Sequence, residues 1–179
     1  MALSKVDGTN FIAPTIPVAS GGTGAITLAA AGLANTPNFY VTASSDQTSI
    51  GDNVATQINF GTEIFDSDSA FASNTFTVPS GEDGKYQFVT GMHILGTNTI
   101  YDTDLSYYIN DSKNVYSLDQ FNSDQGLMYH SALLDLDAGD TVKVYGKVNI
   151  NAGGTWSVDQ DTPASTSRVS WYGYRLIGA

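Results

Sequence analysis

From Asn38 onward, apolar and polar residues alternate in short runs separated by turn formers, the pattern of half-buried strands. Within residues 85–94, Tyr86, Phe88, Met92 and Ile94 fall on one face, and Leu105, Tyr107 and Ile109 share another before Asn110-Asp111-Ser112-Lys113 turns the chain. Asn74-Thr75-Phe76-Thr77-Val78 is halted by Pro79-Ser80-Gly81. Residues 134–137 lead through Ala138-Gly139-Asp140 into Val142, Val144, Val148 and Ile150, and residues 168–177 form a last run dense in aromatics. Nowhere does a helical period last more than about two turns. The spacing predicts an all-β sandwich or barrel.

Residues 1–37 have a different texture, with few charges and much Gly, Ala, Thr and Pro. Pro14, Pro17 and the cluster Gly21-Gly22-Thr23-Gly24 favour an extended path with a tight turn. Thr27 is placed to cap a single helical turn that Gly32 ends. This stretch holds too little apolar surface to fold alone. The expected organisation is therefore an extended arm, 1–37, and a β head, 38–179.

Composition narrows the function classes. The 179 residues suffice for one core, burying about 70% of the unfolded surface. With no cysteine, disulfides and thiolate metal sites are excluded, and His93 and His130 are too few for a histidine-based cluster. A formal charge of −11 opposes binding to phosphate backbones and to anionic lipid, so neither nucleic acid nor membrane is an expected partner. Charged residues are only 14% of the chain, against about 25% for an average domain, leaving Ser, Thr, Asn, Gln and Tyr to make the polar surface. A start without a signal-peptide core, and no run of transmembrane length, predict cytoplasmic synthesis. Joined to a surface-type composition, this points to release by lysis, as for virion proteins.

Four segments in order carry a family resemblance. They are Asn59-Phe60 with Ile64-Phe65-Asp66 and Asn74-Thr75-Phe76-Thr77-Val78-Pro79; Gly84-Lys85-Tyr86-Gln87-Phe88; Leu134-Asp135-Leu136-Asp137-Ala138-Gly139-Asp140-Thr141-Val142; and Ser170-Trp171-Tyr172-Gly173-Tyr174-Arg175-Leu176-Ile177. Together they resemble the jelly-roll head shared by complement component 1q and tumour necrosis factor. The chain departs from that family in lacking a collagen repeat and in carrying Arg175 where an apolar residue is usual. The resemblance implies a two-sheet jelly roll and a homotrimer.

The arm is similar to the Gly-Gly-Thr-Gly-Ala segment of bacteriophage tail-fibre proteins, through Ile16-Pro17-Val18-Ala19-Ser20-Gly21-Gly22-Thr23-Gly24-Ala25. That likeness implies attachment to other virion proteins through Pro17, Gly21, Gly22 and Gly24. The combined expectation is a non-enzymatic, homotrimeric phage fibre or spike subunit whose head binds a host-surface glycan or protein. The rival expectation is a purely architectural capsid decoration, head-fibre or tail-knob protein.

Candidate chemistry is sparse. Acidic residues come in pairs, and Asp102 with Asp104, expected in a loop, is the candidate calcium pair; the alternative is that these are turn-forming, solvated acids. No Gly-x-Ser-x-Gly motif accompanies His130, and no carboxylate pair stands out for glycoside hydrolysis, so no enzyme is expected and no cofactor is required. Tyr101, Tyr107, Tyr108, Tyr116, Tyr129 and Trp156 lie in or beside polar stretches and are candidate sugar platforms, against the plainer reading of core residues. Strand parity sets Val89, Gly91 and His93 opposite the core. Matching the last run to the family's closing strand adds Trp171, so Val89, His93 and Trp171 are the expected trimer interface.

Overall fold

The computed structural model describes residues 35–160 and 167–177. Eleven strands are present: β1 (Asn38–Thr42), β2 (Gln47–Gly51), β3 (Thr56–Gln57), β4 (Thr62–Asp66), β5 (Phe71–Ala72), β6 (Thr75–Thr77), β7 (Gly84–Ile109), β8 (Ser112–Leu136), β9 (Thr141–Ile150), β10 (Thr155–Val158) and β11 (Ser170–Arg175). There is no helix among the described residues, and every strand pairing is antiparallel.

Two long strands organise the sandwich. The first half of β7 pairs with β11, and the order β4-β1-β11-β7-β8 makes the front layer. The second half of β7 pairs with β9, which also holds β3 and β6, and this makes the back layer. Strand β8 follows β7 through both layers and pairs with no other described strand. Separate short alternating runs, one over 85–94 and one holding Leu105, Tyr107 and Ile109, are what the sequence predicts. Instead the chain runs on through Gly96-Thr97-Asn98-Thr99 with register shifts at Ile100 and Asp102. Bulges of this kind bend a strand without ending it, so one strand serves both layers.

The turns follow their residues. Asn110 and Asp111 join β7 to β8 with φ of 49° and 64°, the conformation of a two-residue hairpin turn and one that Asn and Asp tolerate. Asn110 Oδ1 accepts from the Thr141 N–H (2.9 Å), and its amide donates to Asp140 Oδ1 (2.8 Å). Gly139, at φ 92°, supplies the left-handed residue of the β8–β9 turn. These bonds tie the two turns together at one end of the sandwich.

The period-two faces meet in one core. Tyr86, Phe88, Met92 and Ile94 from the front layer face Leu105, Tyr107, Val142, Val144 and Val148 from the back layer, each with no solvent exposure. A packed aromatic cluster holds the layers together, with Phe39 4.9 Å from Trp171, Phe76 5.4 Å from Phe88 and Phe88 5.9 Å from Tyr107, between ring centroids. Edge and offset geometries like these add about 0.5–1.5 kcal/mol per pair beyond area burial.

Candidate interaction surfaces

Register decides which side chains leave the core. Cross-strand partners share a face, and Val89 pairs with Tyr172 on one side and Ser131 on the other. Tyr172 in turn pairs with Tyr40, and Tyr40 with Phe65. The row Phe65–Tyr40–Tyr172–Val89 therefore crosses four strands on the outward side of the front layer. Its rings touch, at 6.0 Å between Tyr40 and Phe65 and 6.1 Å between Tyr40 and Tyr172. Phe65 is 49% exposed, Tyr172 39%, and the neighbouring Leu133 and Tyr129 55% and 63%. An apolar band of this extent is unusual on a solvent-facing sheet.

Trp171 is not part of it. It pairs with Thr90, on the inward side, has no solvent exposure, and packs against Phe39, Phe60, Phe71, Phe88 and Tyr107. The expectation that Trp171 faces outward beside Val89 was one residue out of phase, and Tyr172 holds the position instead. A core role explains Gly173 as well, because a Cβ there would lie 2.5 Å from the Phe88 ring. Val89 does face outward. His93 shares that side, yet it is only 7% exposed, with its Nδ1 2.9 Å from Asp159 Oδ2.

The calcium pair is placed differently from expectation. Asp102 and Asp104 lie within strand β7, not in a loop. Asp102 Oδ2 accepts from the Asn149 amide at 2.8 Å. Asp104 is bound by the Lys113 ammonium, so a cation already stands at that carboxylate. Among the described residues no group of three metal-ligating side chains occurs. Lys113 also lies 4.1 Å from the centroid of the Tyr116 ring, and Tyr108 stacks on Tyr145 at 4.1 Å, so the outward side of the back layer is charged and laced with contacts.

Tyr107 and Trp156, two of the candidate sugar platforms, are core residues. The Tyr107 hydroxyl lies 2.9 Å from Thr90 Oγ1 and donates to the His130 carbonyl at 3.1 Å. Burial pushes its pKa well above the usual phenol range. The His130 ring stacks on Tyr107 at 4.9 Å, its Nε2 is buried without a partner, and desolvation lowers its pKa. Trp156 donates from Nε1 to the Gly51 carbonyl at 3.1 Å. Tyr101, Tyr116 and Tyr129 are exposed. Pro17, Gly21, Gly22 and Gly24 lie outside the described residues.

No family model matches the sequence, and no curated protein matches it. Solved structures do. The chain is similar to murine APRIL at pH 8.5, at 9% identity and a TM-score of 0.52, over 78% of this chain and 98% of that one. Against murine APRIL at pH 5.0 the identity is 10% and the TM-score 0.51, with the same coverage. The globular domain of zebrafish complement 1qA aligns over 79% of this chain and 98% of its own, at 16% identity and a TM-score of 0.49. The likeness is one of fold: the described chain is an antiparallel, all-β jelly-roll sandwich of the C1q/TNF-like type.

Proposed function

We propose that the chain is a non-enzymatic virion protein of a bacteriophage, a homotrimeric fibre or spike subunit whose head displays a site for a host-surface glycan. The observation that carries the trimer is the row Phe65–Tyr40–Tyr172–Val89. Four adjacent strands line up aromatic and aliphatic side chains on the outward side of the front layer, with Lys85 and Asp135 at its margin, while the outward side of the back layer mixes ion pairs with exposed Tyr116 and Leu118. Two further copies of the chain are the occupants of the apolar side. They are favoured because roughly 25 cal/mol is gained per Å² of such surface removed from water, and a symmetric ring covers all three copies at once. The virion half of the reading rests on the arm's resemblance to tail-fibre segments and on the charge-poor, Ser/Thr/Asn-rich composition. Three weak glycan sites on one particle bind tightly because the second and third contacts are intramolecular.

Light scattering on the purified chain tests assembly. A mass three times that of the 18.9 kDa chain is expected, and Tyr172→Glu should reduce it to that of one chain. A wild-type chain that stays monomeric at high concentration refutes the trimer.

A further inference from the structure

On the side of the sandwich away from the tyrosine row, the back layer carries a fixed chain of polar side chains. Asp102, Asn149 and Gln120 share one cross-strand row on β7, β9 and β8. Asp102 Oδ2 accepts from the Asn149 amide at 2.8 Å, and Asn149 Oδ1 accepts from the Asn53 amide at 3.2 Å. The Asn53 amide also donates to Asp52 Oδ1 at 3.2 Å. The turn between β2 and β3 that supplies Asp52 and Asn53 is itself stitched to β9. The Asn53 N–H donates to the Val148 carbonyl, and Asp52 Oδ1 accepts from the Ile150 N–H, both at 2.8 Å. Bonds of this kind hold a site in place before any ligand arrives. They leave Asp102 Oδ1, Asn53 Oδ1 and the Gln120 carboxamide to a ligand.

A bulge adds a ring. The registers of β7 with β8 and with β9 both shift between Ile100 and Asp102, so Tyr101 has no cross-strand partner. Bulges re-aim side chains, and Tyr101, next to Asp102 in the chain, is 46% exposed. The head begins at the end marked by the Asn110–Asp111 turn, where the Arg175 N–H donates to the Pro37 carbonyl at 3.1 Å and Gly84 pairs with Leu136. Strand β9 starts at that end and finishes at Ile150, beside the polar row. The row and Tyr101 therefore lie at the far end of the sandwich from the residues that join the arm.

A carboxylate accepts hydroxyl protons and a carboxamide both donates and accepts, which together match adjacent hydroxyls on a sugar ring. A tyrosine face suits the C–H side of that ring. Among the described residues neither Asp52 nor Asp102 has an ion-pair partner, so their charges repel an acidic sugar. We infer that this row binds a neutral sugar unit of a host glycan. Asp102 Oδ1 and Asn53 Oδ1 accept from its hydroxyls, Gln120 bonds a further hydroxyl, and Tyr101 lies under its ring. The inference rests on the receptor half of the proposed function and does not depend on threefold assembly.

The test is saturation-transfer NMR of the full chain with maltotriose, mannotriose and triacetylchitotriose, beside trigalacturonate as the acidic sugar. At least one neutral sugar should bind saturably, and trigalacturonate should not. Asp102→Asn should weaken that binding about fivefold or more, the difference between a charged and a neutral acceptor. Tyr101→Ala, at an exposed position that the core does not need, should weaken it about threefold or more. The Tyr172→Glu chain, altered on the opposite layer, should bind with unchanged affinity per chain. No saturable binding by any neutral sugar, or affinity unchanged in both folded variants, overturns the assignment. Loss of binding in Tyr172→Glu overturns the placement on the back layer. Binding of trigalacturonate that both variants leave intact would keep a glycan receptor role while overturning this site.

Discussion

Replacing Trp171 by alanine separates a core role from an interface role, because the two make opposite demands on one experiment. Trp171 has no exposed surface and five aromatic neighbours within 6.4 Å between ring centroids. Truncating a buried Phe or Trp to Ala costs about 3–5 kcal/mol. The upper end applies here, since the cavity borders both layers and several ring pairs are lost together. One term acts the other way: the Trp171 Nε1 is buried without an acceptor, a penalty of about 1–3 kcal/mol already carried by the native state. Trp171→Phe, which keeps a ring and removes that N–H, should therefore be far milder than Trp171→Ala. The assay is urea unfolding followed by far-ultraviolet circular dichroism, repeated at several protein concentrations so that assembly does not mask protomer stability. With a slope of about 2 kcal/mol per molar urea, Trp171→Ala should lower the midpoint by about 2 M at every concentration. A midpoint within about 0.5 M of wild type, together with loss of the trimer mass, would return Trp171 to the interface and refute the register.

Other outcomes follow from particular contacts. Tyr172→Ala, on the opposite side of the same strand, should alter mass and the concentration dependence of unfolding while leaving the dilute midpoint within about 0.5 kcal/mol, as for an exposed substitution; dilute-limit destabilisation above about 2 kcal/mol would contradict this. Gly173→Ala should destabilise by about 1–3 kcal/mol through overpacking against Phe88 and Phe39, read from the same urea curves. Asn110→Ala should cost about 1–2 kcal/mol, since alanine fits poorly at φ 49° and leaves the Thr141 N–H without its acceptor. His130 has a folded pKa below its ordinary value because of desolvation. The folded state thus takes up its proton later than the unfolded chain, so stability is retained above about pH 6.5 and falls as pH drops below it. Between pH 7.5 and 5 the wild type should lose more stability than His130→Gln; equal losses would mean that His130 does not set this slope.

The faces of β7 and β9 were legible in the chain because they are local. Side chains alternate with period two, and Tyr86, Phe88, Met92 and Ile94 repeat that period whatever they pair with. The Asn110-Asp111 and Gly139 turns were legible for a similar reason, since the residues themselves tolerate left-handed backbone. Trp171 and Tyr172 were not, because two adjacent aromatics satisfy either phase. What selects between them is distant: Thr90 and Val89 opposite them on β7, and the Phe88 ring that only a glycine at 173 can accommodate. That glycine was the one signal available in sequence. Asp102 and Asp104 misled for the converse reason. Paired aspartates look like a loop, and the partners that hold them in a strand, Asn149 and Lys113, lie on other strands. The surroundings of His93 were invisible altogether, since Phe121, Gln125, Asp159 and Arg168 are brought near it only by the pairing of β7 with β8, β10 and β11.

The uninterrupted run of β7 and β8 through both layers has a mechanical consequence. Tension along the strand axis loads the β7–β8 ladder in shear, with all its hydrogen bonds sharing the force and both layers moving together. Tension applied at the Asn110–Asp111 tip, pulling the strands apart, loads the same ladder one pair at a time. The fold would thus hold against pull along its strands and yield to peeling, so the direction of a load, more than the number of bonds, would govern how long it resists.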